Sequence, residues 1–434
     1  MKHFIKKIMA LLLIGLLAFC SCAKSPNAEN SSATPSASPE RAVKENGGEL
    51  VLSTDPYGGL YKLGYGIETG YYDQFNVTGK AVNLLYTDYQ TKQRVYLCNR
   101  PDCKHNDETC TSWLPTYGDT KLFASKSEDQ LFFVSSGYAD TPNATGSQLG
   151  RIYSMDLTGS NRKVLYQLNG KESFSDAIVM DDNALYVTVS SIDAESTSVK
   201  KELRRVNISD GTATLIYQFE SANDRVFGAF EQTIVIQRYT DAELFYECLD
   251  LNTDTKTQNY RRSIDDIRLE MVYGQTVYSI RRNNEQPDAP SPIYAVDLLS
   301  GEEKIVSEIQ IYNTDATFIV DVYDGRMEIS ATDNRDVDNI KFHMYNLNFN
   351  TYELNENTLT FPFFQDIRNV TILAQTKDFF LVEMGITQGN VTLYDNAGTP
   401  YQVDTAIPTH ALITKTDFWK GVPNYIPIQN NVGS

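Results

Sequence analysis

The segment between Leu97 and Trp113 concentrates the side chains best suited to chemistry in this 434-residue chain. It holds three cysteines and one histidine in the pattern C-x4-C-x-H-x4-C, namely Cys98, Cys103, His105 and Cys110. Three thiolates and one imidazole are the ligands of a closed, tetrahedral zinc site. Four protein ligands leave no open coordination position. We therefore expect a structural Zn²⁺ that orders a segment poor in apolar residues, rather than a catalytic metal.

Disulfide bonds are the alternative use of these cysteines. An exported protein can keep disulfides, and Cys98, Cys103, Cys110 and Cys248 form an even set. A pair such as Cys98–Cys110 would leave His105 without a role, and free thiols are a third alternative. The spacing is not one of the common zinc signatures, but the density of ligands favours zinc. Cys248 stands in an apolar, aromatic segment and is expected to be a small buried core residue.

Imperfect repeats make up most of the remaining chain. Each copy is an apolar, aromatic segment that ends at Asp or Asn and continues through a turn into a second such segment, as in IYSMDLTGS from residue 152. These markers are Asp88, Asp156, Asn207, Asp250, Asp297, Asn346 and Asp395. After a first interval of 68 residues, which contains the Cys/His segment, they lie 43–51 residues apart. Such a period is typical of propeller blades.

Another hairpin of β-branched and aromatic residues precedes each marker, as in LFFV from residue 131, so each unit contains four short strands. One four-stranded sheet cannot cover both of its faces, and blades therefore stack until a ring closes. We predict an all-β fold, a β-propeller of seven four-stranded blades, with six or eight as alternatives. It would span residues 57–434 with a Cys/His insertion at 98–113, and residues 49–52 or 411–414 would complete the ring.

No known catalytic motif accompanies these repeats. The sequence lacks H-E-x-x-H, G-x-S-x-G, a P-loop and a G-x-G-x-x-G that opens a helix. We expect His343 to be a hydrogen-bonded strand residue and His410 to lie at the surface or at the ring closure. The acidic loops at Asp250 and Asp333 are predicted to be turns rather than calcium sites. No catalytic residue and no organic cofactor are predicted.

The N-terminal residues 1–22 have the features of an export signal: three lysines, then an apolar run too short for a transmembrane helix. The sequence FCSC at 19–22 resembles the bacterial lipobox, although Phe19 stands where Leu is usual. Because the small Ser21 precedes Cys22, this resemblance implies that Cys22 carries the lipid. An ordinary cleaved signal peptide is the alternative.

Residues 23–56 are rich in Ser, Pro and Ala and are predicted to be a disordered tether. With the lipid at Cys22, the protein would be anchored to the cell membrane on its extracytoplasmic face. The chain has 56 acidic and 38 basic side chains, a net charge of −18, which argues against nucleic-acid binding.

The sequence IYSMDLTGSNRKVL from residue 152 resembles the propeller repeat of TolB-type proteins. Together with the Cys/His pattern, it is similar to a group of uncharacterised lipoproteins of anaerobic, clostridial-type Gram-positive bacteria, over most of residues 57–430. The resemblance implies a propeller on the outer face of a cytoplasmic membrane and brings no known reaction with it.

A binding or scaffold module is the function that these observations favour. The hairpin loops would present one rim of a monomeric propeller to a protein or a cell-envelope glycan. Two alternatives remain, a polysaccharide-active hydrolase or lyase and an accessory or sensor subunit of a transporter.

Overall fold

The computed structural model describes residues 48–54, 64–78, 81–138, 148–192, 198–281, 289–311, 316–336, 338–395 and 399–432. They belong to one compact unit, Asn46–Ser434. The export signal with Cys22 and most of the expected tether lie outside the described residues. Within the described part of the chain, no helix has the length and apolar character needed to cross a bilayer.

Seven antiparallel sheets of four main strands stand in a ring, which confirms the predicted seven-bladed β-propeller. A short strand, β1 (Val51–Leu52), comes first in the chain. Blades 1 and 2 comprise β2 (Tyr65–Ile67), β3 (Gly70–Thr78), β4 (Ala81–Asp88), β5 (Gln93–Tyr96) with β6 (Trp113–Pro115), and β7 (Thr120–Ala124), β8 (Gln130–Ser135), β9 (Arg151–Asp156), β10 (Lys163–Gln167). Blades 3 and 4 comprise β11 (Glu172–Met180), β12 (Ala184–Ile192), β13 (Val199–Asn207), β14 (Ala213–Gln218), and β15 (Arg225–Phe230), β16 (Thr233–Tyr239), β17 (Glu243–Asp250), β18 (Lys256–Ser263).

The last three blades carry the additional elements of the fold. Blades 5 and 6 comprise β19 (Arg268–Tyr273), β20 (Thr276–Arg281), β21 (Ser291–Asp297), β22 (Glu303–Ile309), and β23 (Thr317–Tyr323), β24 (Arg326–Asp333), β25 (Lys341–Asn348), β26 (Leu354–Glu356). A separate hairpin, β27 (Thr360–Phe363) and β28 (Asp366–Asn369), precedes blade 7. Blade 7 and the chain end comprise β29 (Thr371–Gln375), β30 (Phe379–Tyr394), β31 (Pro400–Thr414), the short helix α1 (Lys415–Trp419), β32 (Ile426–Pro427) and β33 (Gln429–Asn430).

Burial on both faces of each blade explains the continuous apolar runs in the sequence. In β8, Leu131 and Phe133 pack toward blade 1, whereas Phe132 and Val134 pack toward blade 3. Successive strand residues point to opposite faces, so a strand covered on both sides is apolar at every position rather than at alternate ones. Each pair of neighbouring blades shares one such apolar cluster, seven in the described residues.

The repeated Asp or Asn has a local hydrogen-bonding role. Asp250, at the end of the third strand of blade 4, accepts hydrogen bonds from the backbone N–H groups of Asn252 and Thr253 at 2.7 and 3.0 Å. Such a side-chain acceptor replaces a backbone bond in the turn to the fourth strand. The same arrangement occurs at Asp88, Asp156, Asn207, Asp297 and Asn348.

Two of the predicted markers differ from this pattern. In blade 6 the turn residue is Asn348 instead of Asn346, whose amide donates to the carbonyl of Asn355 at 3.2 Å. Asp395 follows β30, the second strand of blade 7, and therefore belongs to a different turn. A repeated residue type fixed the period here but not the position within the blade.

The ring is closed at the outer edge of blade 1 by the C-terminal strand. β33 pairs in parallel with β5, with Gln429 opposite Gln93 and Asn430 opposite Arg94. Neither of the two segments predicted from the sequence closes the ring. Residues 411–414 lie within β31, the third strand of blade 7. The prediction failed because a two-residue strand carries too little pattern to be seen in a sequence.

The other predicted closing segment, residues 49–52, enters the central channel. Val51 and Leu52 of β1 pair with Met180 and Val179 on the inner edge of blade 3. The expected tether 23–56 therefore includes propeller residues, and the folded body begins before residue 57, at residue 48 among those described. Leu50 is 2% exposed, which explains why this apolar stretch is held within the ring.

A buried ion pair joins blades 4 and 5. Arg262 of β18 lies 2.9 Å from Glu270 of β19, and these side chains are 8% and 3% exposed. Gln237 also donates a hydrogen bond to the Glu270 carboxylate at 3.1 Å. The neighbouring Arg261 pairs with Glu243 at 3.3 Å, but those side chains are 56% and 43% exposed.

Replacing one member of the buried pair should cost far more than replacing its exposed neighbour. Arg262→Met leaves the Glu270 charge buried without its partner, and we expect a loss of about 3–5 kcal/mol in the free energy of unfolding. The matched control Arg261→Met should lose about 0–1 kcal/mol. Urea unfolding of both variants measures the difference, and equal losses would contradict the assigned role of Arg262.

Candidate metal centre

The Cys/His segment interrupts the outer strand of blade 1. β5 and β6 both pair with β4, side by side along the same edge, and residues 97–112 leave the sheet between them. Both ends of this insertion meet Leu84: its carbonyl accepts the N–H of Leu97 at 2.9 Å, and its N–H donates to the carbonyl of Ser112 at 2.8 Å. The insertion is thus a loop with adjoining ends, fixed on a buried strand.

Blade 2 braces the base of this loop. Arg162 donates two hydrogen bonds, to the carbonyl of Trp113 at 2.7 Å and to that of Thr111 at 2.6 Å. Gly159 has a φ of +78°, and a Cβ there would come within 2.8 Å of the Thr111 carbonyl oxygen. The turn of blade 2 therefore requires glycine both for its backbone conformation and for this close approach.

The loop brings the four predicted ligands together. The sulfur atoms of Cys98, Cys103 and Cys110 and a ring nitrogen of His105 all lie within 4.8 Å of one another, and His105 Nδ1 is 3.3 Å from Cys110 Sγ. A tetrahedral centre with usual Zn–S and Zn–N bond lengths separates its ligand atoms by about 3.5–3.8 Å. Small adjustments of side chains would thus be enough, and this Cys₃His cluster can hold a metal ion.

Backbone N–H groups support two of the thiols. Burial raises the pKa of Cys98, but hydrogen bonds from the Arg100 N–H and from neighbouring side chains outweigh it and lower this pKa to about 7. For Cys110, burial dominates and raises the pKa to about 12, although the Ser112 N–H acts in the opposite direction. Each thiol thus faces an N–H two residues further along the chain, which favours the thiolate that a metal requires.

Two residues outside the predicted ligand set complete the centre. The guanidinium of Arg100 donates to Cys103 Sγ at 3.0 Å and to Thr109 Oγ1 at 3.1 Å. The ring of Tyr96 stacks on His105 with centroids 4.1 Å apart. His105 itself has a left-handed φ of +53°, a conformation that histidine adopts more readily than most residues. Arg100 stands within the motif and could have been suspected, because a cation beside three thiolates offsets their charge.

The remaining sequence candidates do not gather around this centre. His343 bonds Glu356 at 2.7 Å on blade 6, as expected for a strand residue. His410 is 6% exposed, so it lies beside the ring closure and not at the surface; burial, with Arg94, lowers its pKa to about 3. The loop at Asp250 is a hairpin turn, and Asp333 is held by Arg335 at 2.9 Å. Cys22 lies outside the described residues.

Comparisons with known proteins identify no family. No protein-family model matches the chain, and no curated protein sequence does so either. Among solved structures, it is similar to an oligogalacturonate lyase in complex with manganese, with 14% identity, a TM-score of 0.47, and coverage of 82% of this chain and 91% of the lyase.

Two further solved propellers are similar to the chain. TolB from Acinetobacter baumannii has 12% identity and a TM-score of 0.35, over 79% of this chain and 76% of TolB. The propeller domain of the Trilobed protease from Pyrococcus furiosus has 8% identity and a TM-score of 0.43, over 85% of this chain and 99% of that domain. At these identities the likeness concerns the propeller fold alone.

The thiols should differ in reactivity once any metal is removed. In protein treated with EDTA, we expect iodoacetamide to modify Cys98 first, with a half-maximal rate near pH 7, because the thiolate is the reactive form. Cys248 is an internal control: it is 2% exposed and burial raises its pKa to about 11, so it should react only after denaturation. Peptide mass spectrometry follows each site, and earlier modification of the buried Cys110 would contradict the described geometry.

Proposed function

We propose that this chain is a lipid-anchored, extracytoplasmic β-propeller that serves as a binding or scaffold module, and that a structural Zn²⁺ fastens its first blade. The convergence of Cys98, Cys103, His105 and Cys110 in one loop carries the metal assignment. Three thiolates with one imidazole suit zinc better than hard cations, which prefer oxygen ligands. The partner would be a protein or a cell-envelope glycan.

The position of the loop supports a structural role for the metal. The loop begins directly after β5, and β5 is the strand on which the C-terminal β33 closes the ring. A metal that fixes Cys98 would therefore also fix the end of β5 beside Tyr96. The base of the loop is held by backbone bonds to Leu84 without any metal, so the ion would order the distal half and stiffen the closing edge.

A rigid ring with a long hairpin on one blade supports a binding role. β30 and β31 are 16 and 15 residues long and extend well past the other strands of blade 7. Hydrolase or lyase chemistry has less support. Burial, with a smaller effect of Asp321, raises the pKa of Glu328 to about 8, a value suited to a general acid, yet this side chain is only 1% exposed and out of reach of a substrate.

Metal analysis tests the zinc assignment. We expect about one zinc ion per purified chain, and a lower melting temperature after chelation, because metal binding contributes directly to the stability of the ordered loop. Cys110→Ser should lose the zinc, whereas the control Cys248→Ser should keep it. Elemental analysis and a thiol titration in denaturant give both readouts. Absence of metal together with two missing thiols would instead establish a disulfide.

Substitution of the two neighbouring cysteines tests the anchor. Cys22→Ala should release the protein from the membrane fraction into the medium, since a cleaved chain without acyl groups has nothing to hold its acidic body at an anionic bilayer. The matched control Cys20→Ala should remain in the membrane fraction. Immunoblots of fractionated cells measure the distribution, and retention of Cys22→Ala would rule out lipidation at that residue.

A further inference from the structure

A cavity of about 310 Å³ lies on the axis of the propeller. The inner strands of five blades and β1 line it, and its walls include Tyr65, Tyr273 and Tyr323 together with Thr54 and Gln375. Tyr273, Tyr323 and Gln375 are the last residues of β19, β23 and β29, so the cavity lies at the rim where first and second strands are joined. Its volume is at the lower end of the range for small-molecule sites.

The N-terminal strand makes this cavity by filling part of the channel. Ser53 follows β1, is 5% exposed and lines the cavity, and its Oγ has no hydrogen-bond partner. The neighbouring Thr54 is used differently, because its Oγ1 accepts the N–H of Ile178 at 2.8 Å. A buried hydroxyl without a partner costs free energy unless a bound molecule or water satisfies it. Ser53 therefore points to a ligand that has polar groups.

The charges around the cavity disfavour anions. Asp321 lines the wall, in a bulge of β23, whereas the neighbouring Glu328 on β24 adds no charge at neutral pH, because burial raises its pKa to about 8. The turns at this rim carry further acids, namely Glu68, Glu128, Asp182, Glu231, Asp324 and Asp378, and these outnumber the lysines of the same turns, Lys126 and Lys377. In a chain with a net charge of −18, a phosphate or carboxylate ligand would be repelled here.

We propose that this axial cavity binds a neutral sugar unit at the end of a glycan chain. Sugars combine apolar C–H faces, which pack on aromatic rings, with hydroxyl groups that both donate and accept hydrogen bonds. Tyr273, 45% exposed, stacks one ring face on Phe349 with centroids 4.5 Å apart and offers the other face. Asp321 offers an acceptor. Gln375 offers its amide N–H₂ as a donor, because its oxygen already accepts the Asp324 N–H at 2.9 Å. The Ser53 hydroxyl gains its missing partner. The inference deepens the proposed function, on which it depends, by choosing a glycan over a protein.

A peptide segment is the competing occupant of the cavity. An extended peptide needs a run of unpaired backbone N–H and C=O groups on the receptor, as at a free sheet edge. Such edges exist here, since among the described residues β19 and β23 are paired on one side only and β1 already occupies the inner edge of β11. The sugar is favoured by the polar groups that face the cavity, because they are side chains of mixed type, which recognise hydroxyl groups from several directions.

Calorimetry with defined disaccharides tests the site on the full chain in detergent. The probes are cellobiose, N,N′-diacetylchitobiose and β-1,4-galactobiose, with digalacturonate as the anionic comparison. We expect at least one neutral probe to bind and digalacturonate not to bind. Asp321→Asn should weaken binding about tenfold, and Tyr273→Ala about fivefold, the loss of roughly one good contact each. Tyr401→Ala, an exposed tyrosine on the blade 7 hairpin, should bind as the wild type.

Ser53→Ala gives the sharpest readout, because its two effects have opposite signs. Removal of an unpartnered buried hydroxyl should raise the melting temperature of the free protein, whereas loss of a sugar contact should weaken binding about fivefold. A purely structural Ser53 would change stability alone. Since Ser53→Ala removes a single hydroxyl group, it keeps the test valid if Asp321→Asn fails to fold.

Retention on washed cell envelopes distinguishes a failure of the axial sugar site from a failure of the proposed binding function. If wild type and all cavity variants are retained equally, the axial sugar site is wrong while the binding function stands. Absence of retention and of disaccharide binding would overturn both. Binding of neutral probes that is unchanged in Asp321→Asn and Ser53→Ala, or equal binding of digalacturonate, would also overturn the axial site.

Discussion

Burial of both faces of every sheet is the constraint on which this protein depends. A blade such as β7–β10 has apolar side chains on its two sides, and neither side can be covered within the blade. Each added blade covers one apolar face of the blade before it. Only closure of the ring covers the remaining faces of the first and the last blade. The hydrophobic effect thus requires a closed ring as well as stabilising each blade.

The closing contact differs from the other six. The cluster between blades 7 and 1 has six buried members, the smallest of the seven in the described residues, and it includes the tyrosines Tyr71 and Tyr89. A buried ion pair of Arg94 with Asp73 and the buried His410 lie close to it. Hydrogen bonds of β33 to β5 add directional contacts where apolar burial is least. The Cys/His loop begins at this same edge, so this loop and the C-terminal strand both contact β5.

Sequence reasoning recovered what is encoded locally. Apolar runs such as LFFV and the turn-forming Asp and Asn residues gave the blade number, and the density of Cys and His within one segment gave the Cys₃His cluster. Features that arise from distant contacts were missed or misplaced. β33 has two residues and no pattern of its own, and Asn346 was taken for Asn348 because both have the same residue type.

The axial cavity is the feature that could least be predicted from the sequence. Its walls come from β1 and from five blades, and the residues acquire a common surface only when the ring has closed. Ser53 stands in a stretch that composition assigned to a flexible tether. No spacing rule connects Ser53, Asp321 and Gln375. The role of Arg100, by contrast, could have been predicted from the sequence. It lies inside the motif, and a cation three residues from Cys103 can reach its sulfur in a tight loop.

The pairing of β33 with β5 also has a consequence for the order in which the molecule is made. Gln429 and Gln93 come from opposite ends of the chain, so their contact has a very large sequence separation and forms slowly. The loop of residues 97–112 is held by Leu84 of blade 1 and Arg162 of blade 2, so it can fold as soon as these two blades emerge. During synthesis the acceptor edge is therefore ready long before its partner exists, and until the final residues arrive the nascent ring has an open strand edge that other chains could pair with.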